Sequence, residues 1–251
     1  YRPADTCAGR VMTMLRVRFG KCGKIRFTSH RDVARIWERA LRRAEINVVY
    51  TQGFSPRPRV SFGLALATGH ESQAEYLDVD LVDEPVGDHS AWAVELGERL
   101  DRVLPEGIDV LATTTVDRST DSLQQAVESC TWSIEISGVD TVKATRWVED
   151  LLSREEIVVE RERKGGVVIE DVRPQILALG VTGATEHGVR LLADLGTQPR
   201  ALRPVELLAA IDPPLHARSV RRIHQWMSQG SERIEPLPAD AVPGAFAEVR
   251  A

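Results

Sequence analysis

"MLRVRFGKCGKIRFTSHRDVARIWERALRRA", residues 14–44, changes its hydrophobic period partway along. At first apolar residues alternate: Leu15, Val17 and Phe19 lie on one side of an extended chain, with Arg16 and Arg18 on the other. After Lys21-Cys22-Gly23-Lys24, which reads as a turn, residues 25–28 read as extended again. From Val33 the spacing becomes three and four, and Val33, Ile36, Trp37, Ala40, Leu41 and Ala44 form one helical stripe. At about 100° per residue, Arg31, Arg35, Arg39 and Arg42 fall opposite that stripe, with Arg43 at its edge. Ser29 is placed to cap this helix, and Asp32 puts a carboxylate near the positive end of its dipole.

The same order continues outward. Residues 47–51, 59–67, 75–81 and 108–115 read as strands, and 89–103 as a second helix. Beyond a polar, turn-rich boundary near 117–129, the pattern recurs. Residues 131–137 form a strand and 141–153 a helix. A hairpin follows over 157–172 around Lys164-Gly165-Gly166, then strands at 176–182 and 189–194 and a helix from Pro204 to Ile211. Strand–helix–strands–helix–strand, twice over, predicts an α+β protein of two tandem ferredoxin-like sandwiches. They would span residues 14–117 and 129–228, with a loosely ordered tail at 229–251.

The chain has 251 residues and a formal net charge of −5. Residues 16–62 carry twelve Lys/Arg against three Asp/Glu, or +9, which leaves −14 for the remainder. Such a basic block fits either a solvated face or an anionic partner. The three cysteines, Cys7, Cys22 and Cys130, make no disulfide framework or cluster motif, and a cytoplasmic address is expected. No membrane-spanning run occurs, and no phosphate-binding, dinucleotide or nucleophile-elbow motif is present. No cofactor or metal is expected, and the oligomeric state is not set by the sequence.

Four stretches hold the candidate site residues. In "YTQGFSPRPR", residues 50–59, Pro56 and Pro58 stiffen the backbone and Gly53 supplies a positive φ. Phe54 is either a core plug or, with Tyr50, a stacking surface beside Gln52, Arg57 and Arg59. In Ser29-His30-Arg31-Asp32, His30 is either a general acid–base or simply a residue at the capped helix start. In "GHESQAE", residues 69–75, Glu71 and Glu75 are expected to pair with arginines of the basic helix rather than to hold a metal with His70. In Asp171-Val172-Arg173-Pro174, Arg173 either pairs with Asp171 or reaches a cleft between the halves.

Taken together, "KCGKIRFTSHRDVARIWERALRRA", "YTQGFSPRPRVSFG", "GHESQAEYLDVDL" and "IEDVRPQI" resemble the radical-SAM-associated domain family of unknown function, over about residues 15–211. In that family the domain is fused behind a B12-binding radical S-adenosylmethionine protein or stands as a separate chain. The resemblance implies a radical SAM partner. It carries over to Ser29, His30, Asp32, Arg35, Arg39, Arg42 and Arg43 of the helix, and to Gln52, Gly53, Phe54, Pro56 and Pro58 of the loop. It also reaches Glu71, Ser72, Glu75, Asp171, Arg173 and Pro174. Arg31 and Arg57 depart from the family pattern, which usually has leucine and often histidine there, and both departures add positive charge.

The expectation is an RNA-binding or substrate-presenting accessory module that works with a separate radical SAM enzyme. Arg35, Arg39, Arg42, Arg43, Gln52, Gly53, Phe54, Arg57, Arg59 and Arg173 would contact the substrate, with Ser29, Asp32, Glu71, Glu75 and Asp171 structural. The rivals are a metal-independent RNA-processing enzyme using His30, and a purely protein-binding scaffold.

Overall fold

The computed structural model describes residues 13–83, 87–118, 120–163 and 166–237. Its first half runs β1 (Thr13–Lys21), α1 (His30–Arg43), β2 (Val60–Phe62), β3 (Glu71–Asp80), α2 (His89–Asp101) and β4 (Ile108–Asp117). A short α3 (Leu123–Ala126) leads into β5 (Val127–Ser137), α4 (Thr141–Ser153), the hairpin β6 (Val158–Arg163) and β7 (Gly166–Asp171), β8 (Ile176–Ala184) and β9 (Gly188–Gly196). The chain closes with α5 (Pro204–Ala209), β10 (Ala217–Gln229) and β11 (Glu232–Ile234).

This is an α+β fold with a large mixed sheet of nine strands. The order is β4-β1-β3-β10-β5-β9-β8, with β2 on β3 and β11 on β10. Each half places its strands alike: β4-β1-β3-β2 in the first, β10-β5-β9-β8 in the second. The halves meet where β3 and β10 run parallel, at Glu71↔Arg221 and Ser72↔Arg222. β2 takes the rest of the same β3 edge, from Phe62↔Leu77 to Val60↔Val79. The start of β3 and the middle of β10 therefore weld two half-sheets into one.

Helix α1 forms for the reasons its sequence advertises. Ser29 Oγ accepts from the Asp32 amide at 3.3 Å, and Val33, Trp37, Ala40 and Leu41 are buried. Trp37 packs edge-on to Phe19 of β1, with ring centroids 4.9 Å apart. Burying each such side chain contributes about 1.5–3 kcal/mol. At the far end, Arg99 of α2 donates to the carbonyls of Ala44 and Glu45, a cation against the negative end of the helix dipole. Two cores result, one under α1 and α2 and a larger one under α4 and α5.

Several local expectations change. Residues 23–27 form a 3-10 turn, not a strand, because Lys21 Nζ draws in the carbonyls of Arg26 and Thr28. The stretch 47–51 makes only isolated bridges, Val48↔Leu81 and Tyr50↔Pro58, and the strand expected over 59–67 shrinks to three residues. The prolines there withhold amide donors from a ladder. Lys164 and Gly165 of the expected hairpin turn lie outside the described residues, as does most of the expected tail.

The largest correction falls at 217–237. The expected second unit lacked the 13-residue β10, which is a central strand. Residues 229–237 are no loose tail: β11 pairs with β10, Pro236 O accepts from Arg16 at 3.0 Å, and Leu237 is buried beside Tyr76, Ala112 and Leu123. Glu235 sits between Arg18 (2.7 Å) and His224 (2.8 Å). The segment straps over the sheet face of the first half opposite its helices.

Candidate functional site

The outward face of α1 is a row of guanidinium groups. Arg31, Arg35, Arg39, Arg42 and Arg43 are all exposed. Arg35 pairs with Asp32 at 3.0 Å in an open setting, and Arg42 reaches the Glu38 carbonyl at 3.3 Å. Among the described residues, Arg31, Arg39 and Arg43 make no hydrogen bond or salt bridge, and Arg31 acts on the Asp32 carboxylate only through its charge. The Asp32 carboxyl is held below the usual range by the Ser29 hydroxyl and then by Arg35. It serves the helix start and not His30, whose ring instead stands edge-on to Phe62 at 5.2 Å.

The 50–59 loop is tied at its base and open at its tip. Thr51 N donates to Arg57 O (2.8 Å), and Thr51 Oγ1 accepts from Arg57 N (3.1 Å). Gly53 sits at φ 133°, a conformation that L side chains rarely adopt. Phe54 is fully exposed, so it plugs no core. Gln52 and Arg57 are exposed beside it, and the Arg57 guanidinium has no partner among the described residues. Arg59 is turned back toward Asp80, at 3.1 Å. Tyr50 is exposed as well. Among the described residues, no hydrogen bond or ion pair joins this loop to α1.

The acidic residues of 69–75 do not pair with α1. Its arginines face solvent, whereas β10 lies against the start of β3. Glu71 accepts from Arg221 (2.7 Å), Arg26 (3.3 Å) and the Gly23 amide (3.0 Å), which tie the 22–24 turn to the joint. Glu75 accepts from Arg222 Nη2 at 2.6 Å and Nε at 3.1 Å. Arg222 is wholly buried, lies over the Trp132 ring at 5.3 Å, and also donates to Leu64 O. Neither Arg221 nor Arg222 stood out in the sequence, because a basic pair in an unrecognised strand offers no local pattern.

Below His30 the structure makes a grouping that residue spacing did not foretell. His30, Lys21, Glu75, Phe62 and Tyr76 line one small cavity of about 20 Å³, room for a single water. Burial pushes the Lys21 ammonium below its ordinary pKa, while Glu75 opposes that shift. His70, on the other side of the joint, is edge-on to Trp132, and burial followed by Arg222 and Lys21 holds its pKa down.

In the second half, Asp171 accepts from the Ile157 and Arg173 amides, both at 2.9 Å, and these bonds lower its pKa. Arg173, expected to bind substrate, donates to the carbonyls of Arg154 (3.2 Å), Leu152 (3.3 Å) and Ile176 (3.4 Å). Its guanidinium closes the C-terminal end of α4 and does not join the basic face.

Fold and surface together define an α+β protein with a nine-stranded mixed sheet, a helix with a basic outward face, and an exposed loop tipped by Phe54. Among the described residues, no helix is long and apolar enough to cross a membrane. Residues 14–204 match the model of a family described as uncharacterized protein conserved in bacteria (DUF2344), and the chain belongs to that family. A search of curated proteins finds no match.

Proposed function

We propose that the protein is an RNA-binding or substrate-presenting accessory module, working with a separate radical SAM enzyme in RNA modification or processing. The observation that carries this reading is Phe54: an aromatic ring held wholly in solvent on a two-proline loop, with Arg57 beside it and five exposed arginines on the preceding helix. A solvated ring has no stabilising role in the fold, and every base offers it a π-face. Guanidinium groups without protein partners are available to phosphate oxygens. The strap at 235–237 covers Tyr76 and Arg16 on the first half's sheet face, which favours the helix-and-loop surface as the contact. The radical SAM partner rests on the sequence motifs. The repeated strand order supports reading each half as a ferredoxin-like unit, fused edge to edge through β3 and β10.

Crosslinking of the purified protein to total cellular RNA, followed by sequencing at two salt concentrations, tests this against the Arg35→Glu/Arg57→Glu variant. A defined RNA enriched by the protein, lost in the variant and weakened by salt is expected. Equal recovery by both proteins overturns the reading.

A second reading has its own observation, the shared cavity of His30, Lys21 and Glu75. It makes His30 a general acid–base in RNA processing. Cleavage of the bound RNA, abolished in His30→Ala while binding persists, would establish it; no cleavage by either protein removes it.

A further inference from the structure

A pocket opens beside the seam, on the edge of β10 that β3 leaves uncovered. The two strands pair at Glu71↔Arg221 and Ser72↔Arg222, and the same edge at 217–220 meets no strand among the described residues. Just before Glu71 the chain turns away: Gly69 has a φ of 89°, and its amide donates to Arg26 O at 2.8 Å. The gap is a cavity of about 290 Å³. Thr68, Gly69 and His70 of the first half line it, facing residues of α5 and early β10 from the second. Small ligands bind preferentially in such places, between two packed units.

The lining has an aliphatic part and a polar part. Leu208 and Val220 are buried, Leu215 is half-buried, and Val205 is 61% exposed. The polar part holds His70, His216 and Arg218, and no Asp or Glu lines the cavity. Arg218 Nε stands 3.9 Å from Glu135, beyond hydrogen-bond reach. Among the described residues its guanidinium donates no hydrogen bond, while Glu135 accepts from Thr185 (3.0 Å) and Ser219 (3.3 Å). His70 Nδ1 is buried without a hydrogen-bond partner, a state that buried polar atoms seldom keep. Burial, then the charges of Arg222 and Lys21, hold the His70 pKa down, so these two cations place positive potential at that wall. One lightly paired guanidinium beside an aliphatic wall suits a single carboxylate on a short apolar stem. A phosphate dianion asks for more charged donors than this lining holds.

We infer that this cavity binds a carboxylate carried on a branched aliphatic stem, as a free acid or as the C-terminus of a peptide. The cavity shares no residue with α1 or the 50–59 loop, so the inference does not rest on RNA binding.

Two-dimensional NMR titration of the 15N-labelled full chain tests it. The probes are 4-methylpentanoate and the tripeptide alanyl-alanyl-leucine, each compared with its uncharged C-terminal amide. Arg218→Gln removes the lining cation, and Arg146→Gln removes an exposed arginine of α4 as a control for general attraction. We expect saturable shifts at 68–70 and 215–220 with at least one carboxylate, about tenfold weaker for its amide and for Arg218→Gln, and unchanged in Arg146→Gln. The tighter carboxylate names the source. No saturable shift with either acid up to about 10 mM, equal binding of acid and amide, or equal weakening by both variants would each overturn the inference. Displacement of the bound acid by an equal concentration of inorganic phosphate would overturn it as well. The dispersion of the same spectra confirms that both variants are folded.

Discussion

Arg222 donates two hydrogen bonds to one oxygen of Glu75, at 3.1 and 2.6 Å, across the seam where the half-sheets join. The arginine is 1% exposed and the glutamate 8%. A buried pair of this kind offsets its own desolvation but leaves a large penalty when one partner is lost. Arg222→Met should therefore cost about 3–5 kcal/mol, because Glu75 would remain buried without its cation. The double variant Arg222→Met/Glu75→Leu should recover much of that loss. Urea unfolding of the three proteins checks this. A single variant within ~0.5 kcal/mol of the parent would show that the seam does not depend on the pair.

His70 connects the same seam to pH. Burial, then the charges of Arg222 and Lys21, lower the pKa of its imidazole in the folded chain. The unfolded chain takes up that proton near the ordinary value of about 6.5. The folded pKa is therefore the lower one, and the unfolded state binds more protons as pH falls through the window below ~6.5. Its contribution to stability is complete above that window and declines below it. Urea midpoints at about pH 7.5 and 5.5 should separate more for the parent than for His70→Gln. Parallel losses in the two proteins would remove His70 as the cause.

How far the sequence could be read depends on where each residue's partner lies. Helix α1 was legible because Ser29, Asp32 and the Val33–Trp37–Ala40–Leu41 stripe act within a few residues of one another. Helix α4 occupies the expected 141–153 for the same reason. Strand β10 was hidden because its buried position 222 is an arginine, the residue type that usually marks the solvent side. Its counter-ion lies 147 positions away, and bulges at 217/219, 222/224 and 226/227 disturb the two-residue period. Without that strand, the nearest basic block in the sequence to Glu71 and Glu75 is the arginine row of α1. The open position of Phe54 was one of two readings, and only the fold of the loop decides it.

Phe54 separates binding from stability. A ring without burial contributes little to the fold, so Phe54→Ala should leave the urea midpoint within the ~0.5 kcal/mol usual for surface changes. On the proposed function the same change should weaken binding to single-stranded RNA by roughly 1–3 kcal/mol, the loss of one stacked base. Fluorescence anisotropy with a labelled RNA found by crosslinking provides the comparison. A stable variant with undiminished affinity would move the contact away from the loop tip.

The strap at 235–237 is a structural part of the first half, although it lies far from it in sequence. Leu237 is 2% exposed in the small cluster with Tyr76, Ala112 and Leu123, and Glu235 is clamped by Arg18 and His224. Leu237→Ala should cost about 2–5 kcal/mol, the range for truncating a buried leucine. Glu235→Gln removes a charge-assisted contact and should cost less, about 1–3 kcal/mol. Opening of the strap should also raise amide exchange along β1 and β3 before the rest of the sheet, because that face would become wet. Hydrogen exchange on Leu237→Ala, read strand by strand, tests the assignment. Faster exchange confined to β8 and β9, with β1 and β3 protected as in the parent, would show that the strap does not guard the first half.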